Sequence, residues 1–147
     1  MEKGKETISL DGTHLMADLM GCDKRTLGNS EKIKEFLDTL PEMLGMKKMI
    51  KPYVVVYKGG DSWDKGGITG FMLIAESHIS IHTFQHDGFL TADVYSCKPF
   101  DFKKAVAYMK EFFGSKEEKI QVAKRELEII RENGLNQATV KAIVVKK

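Results

Sequence analysis

With two cysteines, three prolines and one tryptophan in 147 residues, the chain is poor in the residues that staple or stiffen small folds. Cys22 and Cys97 are too few for a disulfide scaffold, and in a reducing compartment two thiols are more often free than paired, although spacing alone leaves one bridge open. No run approaches the roughly 20 apolar residues of a membrane span. The opening Met1-Glu2-Lys3-Gly4-Lys5-Glu6 lacks an apolar signal core, so no membrane partner and a cytoplasmic location are expected. Charge of one sign is also missing. The 23 basic and 21 acidic residues nearly cancel and form no long block, which gives no electrostatic reason to expect a nucleic-acid partner. Internal repeats and low-complexity segments are absent. The length suits one domain over residues 1–147, large enough to bury a core.

What is present alternates between strand and helix signals. Residues 13–20 read as a strand ended by the turn Gly21-Cys22-Asp23. A helix capped by Asn29 or Ser30 follows, with Ile33, Phe36, Leu37, Leu40 and Leu44 on one face and Pro41 as a kink or early end. Tyr53-Val54-Val55-Val56-Tyr57 is β-branched and aromatic, stopped by Gly59-Gly60. Two extended runs between Ile68 and Phe84 meet near Ser77, and Phe89–Ser96 is a third, paired through a hairpin turning at Gly88. Asp101 caps a second helix with Phe102, Ala105, Val106, Met109 and Phe113 on one face. Lys119–Ala123 reads as a last strand. Beyond Glu126, Glu128-Ile129-Ile130-Arg131 favours helix and Ala142-Ile143-Val144-Val145 favours strand. The expected class is α+β, a two-layer sandwich of a mainly antiparallel sheet with helices on one face. Its other face needs a cover, and a second copy of the chain supplies one economically, giving a homodimer.

The spacing of His78, His82 and His86 by four would suit a metal on a helix. Their alternating context is that of a strand, where four residues span about 13 Å. Two zinc ligands at about 2.0–2.1 Å cannot be that far apart, so no metal site is expected.

The chemistry concentrates in Ala75-Glu76-Ser77-His78-Ile79-Ser80-Ile81-His82-Thr83-Phe84 and in Cys97, which closes Asp93-Val94-Tyr95-Ser96-Cys97. Here a hydroxyl follows a peptide carbonyl, an imidazole stands nearby and a thiol lies one strand further on. Taken singly, Ser77 is an ordinary strand serine, Cys97 a small hydrophobe and Thr69 a turn or strand residue. Together they resemble the self-cleavage segment of the pyruvoyl-dependent S-adenosylmethionine decarboxylases. Upstream, Asp11-Gly12-Thr13-His14-Leu15-Met16-Ala17-Asp18-Leu19-Met20-Gly21-Cys22-Asp23 is similar to that family's opening strand and turn. The resemblance covers about residues 10–125 and is strongest over 66–97.

The resemblance implies a cut between Glu76 and Ser77, after which Ser77 becomes a pyruvoyl cofactor that forms a Schiff base with the substrate amine. It assigns Thr69, where the family usually has serine, to donate to the oxyanion of the acyl shift, His82 to take the Ser77 α-proton, and Cys97 to return a proton after decarboxylation. For binding it implies aromatic contacts to adenine from Trp63 and Phe84. His86 stands where the family usually has a glutamate that accepts from the ribose hydroxyls, and a neutral imidazole accepts only one such bond. The implied reaction is decarboxylation of S-adenosylmethionine for polyamine synthesis. The His86 departure keeps a basic amino acid open as substrate, held by Asp61, Asp64 or Asp87; an unprocessed binding paralogue is the third reading. A regular strand would place Ser77 with Ile79 and Ile81, away from His78, Ser80, His82 and Phe84, so the cleavage site calls for a bulge or bend.

Overall fold

The computed structural model describes residues 6–60, 62–132 and 135–139. Its described strands are β1 (Glu6–Met20), β2 (Tyr53–Tyr57), β3 (Gly67–Ile74), β4 (Ser77–Phe84), β5 (Phe89–Ser96), β6 (Glu117–Glu132) and β7 (Leu135–Thr139). They form one antiparallel sheet in the order β2-β3-β4-β5-β1-β6-β7. Three helices accompany them: α1 (Lys24–Leu27), α2 (Ser30–Met43) and α3 (Phe102–Phe113). This is the expected α+β architecture with the helices on one face.

Capping explains where the helices start. Asn29 Oδ1 accepts from the Glu31 and Lys32 amides, which makes Asn29 the cap of α2 and Ser30 its first residue. Asp101 Oδ1 accepts from Lys104 N–H at 3.0 Å and opens α3. Asp23 caps the short α1, an element with no apolar period to announce it. Pro41 sits inside the last turn of α2, and the helix ends two residues later. The lost N–H falls in the final turn, and the helix ends just after the proline, before the last apolar position Leu44.

Alternation builds the core. Ile68, Met72, Ile74, Ile79, Ile81, Leu90, Ala92, Val94, Leu15, Ala17 and Leu19 face the helices and are buried with Ile33, Phe36, Leu37 and Leu40 of α2 and Ala105, Met109 and Phe113 of α3. Phe36 joins the two helices through an edge contact with Phe113, ring centroids 5.0 Å apart. At Gly70 a Cβ would stand 2.8 Å from Leu37 Cδ1, so glycine lets α2 settle onto β3.

The strand signals extend further than the sequence suggested. β1 begins at Glu6 rather than 13, and β6 runs through Glu132. The helix favoured at Glu128–Arg131 is therefore corrected to strand: Ile129 pairs with Ile8, Leu127 with Leu10, and Ile130 with Thr7. Residues 142–145 lie outside the described residues. The sheet face away from the helices carries Tyr53, Val55, Tyr57, Phe71, Leu73 and Met20, all exposed.

Candidate active site

The Glu76–Ser77 peptide lies at the tip of the β3–β4 hairpin. Ile74 and Ser77 are its closing pair, leaving Ala75-Glu76 as a two-residue turn. Such turns usually carry positive φ at one or both central residues, on glycine or asparagine. Here neither has it. The positive φ falls on Ser77, at 150°, the one such non-glycine residue among those described. That region is close to glycine-only and costs on the order of 1–3 kcal/mol. The pairing itself runs through Ser77 without a bulge, so the departure from regular strand geometry at this position is confined to its φ.

Main chain from a third strand meets the same peptide. Ser96 pairs with Ser77, and one residue later Cys97 N–H donates to the Glu76 carbonyl oxygen at 2.7 Å. Glu76, Ser77 and Cys97 are thus brought together, with Ser77 and Cys97 both partly buried. The resemblance names Thr69 as the donor for this carbonyl. The donor present is a backbone amide, which no side-chain motif announces.

Thr69 and His82 form a separate pair. They face each other across β3 and β4 with Oγ1 3.1 Å from Nδ1, exposed on the helix-free face. Both are five residues along their strands from the Ile74–Ser77 closing pair, about 17 Å away at strand rise. Phe84 lies two residues beyond His82, where its ring stacks on Phe89 at 4.3 Å. His86 follows, exposed in the β4–β5 turn, and Trp63 is 70% exposed in the loop before β3. The chain therefore divides the expected site between opposite ends of one hairpin: Glu76, Ser77 and Cys97 at the tip, and Thr69, His82, Phe84, His86 and Trp63 toward the other end.

Two of the three acidic alternatives have partners. Asp64 Oδ1 accepts from Gly66 N–H at 3.0 Å, and Asp87 lies 4.0 Å from Lys65 Nζ; Asp61 lies outside the described residues. Cys22 is free and buried, with its thiol pushed up to about 11 by burial and directed at the Leu19 carbonyl, so it is a core group.

The helix-free face also holds a polar cluster that motif reading missed. His14 Nε2 is 2.9 Å from Asp93 Oδ1, and Arg125 covers the Tyr95 ring at 4.5 Å while donating to its hydroxyl at 3.1 Å. The alternation of Asp93 and Tyr95 with buried Val94, just before Cys97, is the only local signal of it. Among the described residues no three His, Cys, Asp or Glu side chains converge as metal ligands, and no described helix is long and apolar enough to cross a membrane.

The family model for S-adenosylmethionine decarboxylase matches residues 13–126. An S-adenosylmethionine decarboxylase proenzyme of Clostridium botulinum (strain Langeland) is 38% identical over 105 residues, 71% of this chain and 84% of the relative. One from Thermococcus gammatolerans is 34% identical over 125 residues, 84% and 80% of the two chains. A crystal structure of the adenosylmethionine decarboxylase from Aquifex aeolicus superposes with a TM-score of 0.68 at 32% identity, covering 79% of this chain and 91% of that one. By motif, sequence and fold, the chain belongs to the S-adenosylmethionine decarboxylase family.

Proposed function

We propose that the protein cleaves itself between Glu76 and Ser77 and then decarboxylates S-adenosylmethionine, feeding polyamine synthesis. The observation that carries this reading is the Glu76–Ser77 peptide itself. Its carbonyl is held by Cys97 N–H at 2.7 Å and its serine sits at a φ of 150°. Attack of Ser77 Oγ on the Glu76 carbonyl carbon moves the acyl group from nitrogen to oxygen. The Cys97 amide already points at the oxygen that becomes the oxyanion, so no reorganisation is needed as charge develops. Leaving the strained peptide also relieves the serine backbone, which favours the step.

The ester then breaks by β-elimination, which needs a base for the Ser77 α-proton. For His82 Nε2 to take it, Nδ1 must carry the hydrogen and donate to Thr69 Oγ1. Thr69 thereby orients the imidazole, and its own O–H remains available to a nearby oxyanion. Elimination leaves Glu76 as a free carboxylate and a dehydroalanine at position 77, whose hydrolysis releases ammonia. The product, a pyruvoyl group at position 77, supplies an electron-withdrawing ketone that binds the substrate amine as carbon dioxide departs. Cys97, beside the same position, is the proton donor to the substrate α-carbon.

The separation of about 17 Å between the two halves of the site is bridged by a second protomer. The exposed apolar face of the sheet calls for cover. Two copies stacked on that face, related by a two-fold axis lying between the sheets and running across the strands, reverse the strand direction of one relative to the other. The Thr69–His82 end of one hairpin then lies over the Ser77 tip of its partner, with sheets about 10 Å apart. Trp63, Phe84 and His86 come with it and hold the adenosine portion of the substrate.

The test is carbon dioxide release from S-adenosylmethionine, arginine and ornithine measured side by side. Preference for S-adenosylmethionine is expected. Faster turnover of either amino acid would overturn the substrate, and no release from any of the three would overturn the enzyme.

A further inference from the structure

The connection between α2 and β2 makes a set of contacts that the reaction has not used. Met46 is buried, and its N–H donates to the Pro41 carbonyl at 2.9 Å. Lys48 Nζ reaches Asp38 Oδ1 at 2.9 Å and the Glu42 carboxylate, and these acids raise its pKa. The segment is thus anchored to α2. Its other side is laid along the cleavage hairpin like a short extra strand: Met49 N–H donates to Leu73 O at 2.9 Å, Lys48 bridges Ile74, and Ala75 N–H donates to Lys47 O at 2.8 Å. The last contact is to the residue at the cut, where Lys47 N–H donates to Glu76 Oε2 at 3.2 Å.

We propose that Met46–Met49 is a brace that sets the Glu76–Ser77 peptide for cleavage, with the Glu76 carboxylate as its positioning residue. This rests on the self-processing reading. A turn made of Ala75 and Glu76 lacks the glycine or asparagine that would absorb its twist. Left alone it would relax, and Ser77 could leave its strained φ. Held by Lys47 O at Ala75 and by Lys47 N–H at Glu76, the turn keeps its shape and the strain stays on the serine. On the opposite side Cys97 N–H fixes the carbonyl oxygen. The scissile peptide is therefore gripped from two directions, and Glu76 remains gripped once it becomes the end of a chain.

The experiment follows cleavage of freshly translated full-length chain by pulse-chase, for wild type, E76A, E76Q and K47A. Thermal midpoints are measured in parallel on the uncleavable S77A chain with and without E76A. The E76A chain should cleave roughly three- to tenfold more slowly, the scale of one lost ordinary hydrogen bond, as suits an exposed contact at 3.2 Å. E76Q keeps an acceptor oxygen and should recover most of the rate. K47A should cleave like wild type, because only the Lys47 backbone takes part. The two S77A midpoints should agree within about 2 °C. Cleavage of E76A at the wild-type rate overturns the brace alone. Slow cleavage with a large fall in midpoint also overturns it, since the contact would then be one of stability and not of positioning. If wild type itself stays whole, the self-processing reading falls and the brace falls with it.

Discussion

Cys97 and Glu76 are tied through the main chain, N–H to carbonyl at 2.7 Å, while the Cys97 thiol takes no part in that bond. Cleavage and turnover should therefore separate in one residue. Replacing Cys97 by Ala keeps the amide, so the chain should still cleave, yet turn over roughly a hundredfold more slowly for want of a proton donor. Product wrongly protonated should also accumulate and inactivate the pyruvoyl group. The check is cleavage by gel beside steady-state decarboxylation; full turnover by Cys97→Ala would require another acid.

The proposed division of the site between two protomers predicts complementation. Ser77→Ala and His82→Ala should each fail to complete processing alone. Co-expressed, half of the dimers pair one of each, and each mixed dimer holds one site with both residues intact. About a quarter of the wild-type number of sites should mature. Quantified pyruvoyl-capped chain reads the outcome, and none from the mixture would place Ser77 and His82 in one protomer.

Trp63 is 70% exposed in the single chain, which leaves its face free for a ligand. Trp63→Ala should weaken S-adenosylmethionine binding by about 1–3 kcal/mol, the scale of a base stacked on an aromatic ring. His86→Glu should lower KM for that substrate with little change in kcat, since the ribose is remote from the reacting carbon. Steady-state kinetics on both variants decide it. An amino-acid decarboxylase would gain nothing from the glutamate.

Thr83 ties the hairpin to the helical layer. Its buried hydroxyl donates to Leu27 O at 2.8 Å and accepts from Ile68 N–H at 2.9 Å. Thr83→Val keeps the shape and leaves both backbone groups without that partner. A loss of about 2–4 kcal/mol is expected in urea unfolding, followed on an uncleavable Ser77→Ala background. A change under about 0.5 kcal/mol would show that the groups find other partners.

The residues that could be read in advance are those whose signal is local. The face Ile33, Phe36, Leu37 and Leu40 is set by helical spacing, Asp101 caps by its own side chain, and the β3–β4–β5 ladder follows from alternation and the turn at Gly88. Glu128–Arg131 misled because a four-residue charged and apolar run suits a helix equally well. Its pairing with β1, at the far end of the chain, decides the matter, and no local pattern carries that information. In the site, residue identities and spacings named both groups of side chains but not their separation. Five residues look close in a sequence and span about 17 Å in a strand. The Cys97 amide, the Ser77 φ and the grip on Glu76 are backbone features that side-chain identity does not encode.

Intact mass of the purified protein tests the central claim most directly. The account predicts two chains, residues 1–76 and a second beginning at position 77 with a pyruvoyl group that blocks its N-terminus, and it predicts that Ser77→Ala stays whole. Wild-type protein found only at full-length mass would contradict it.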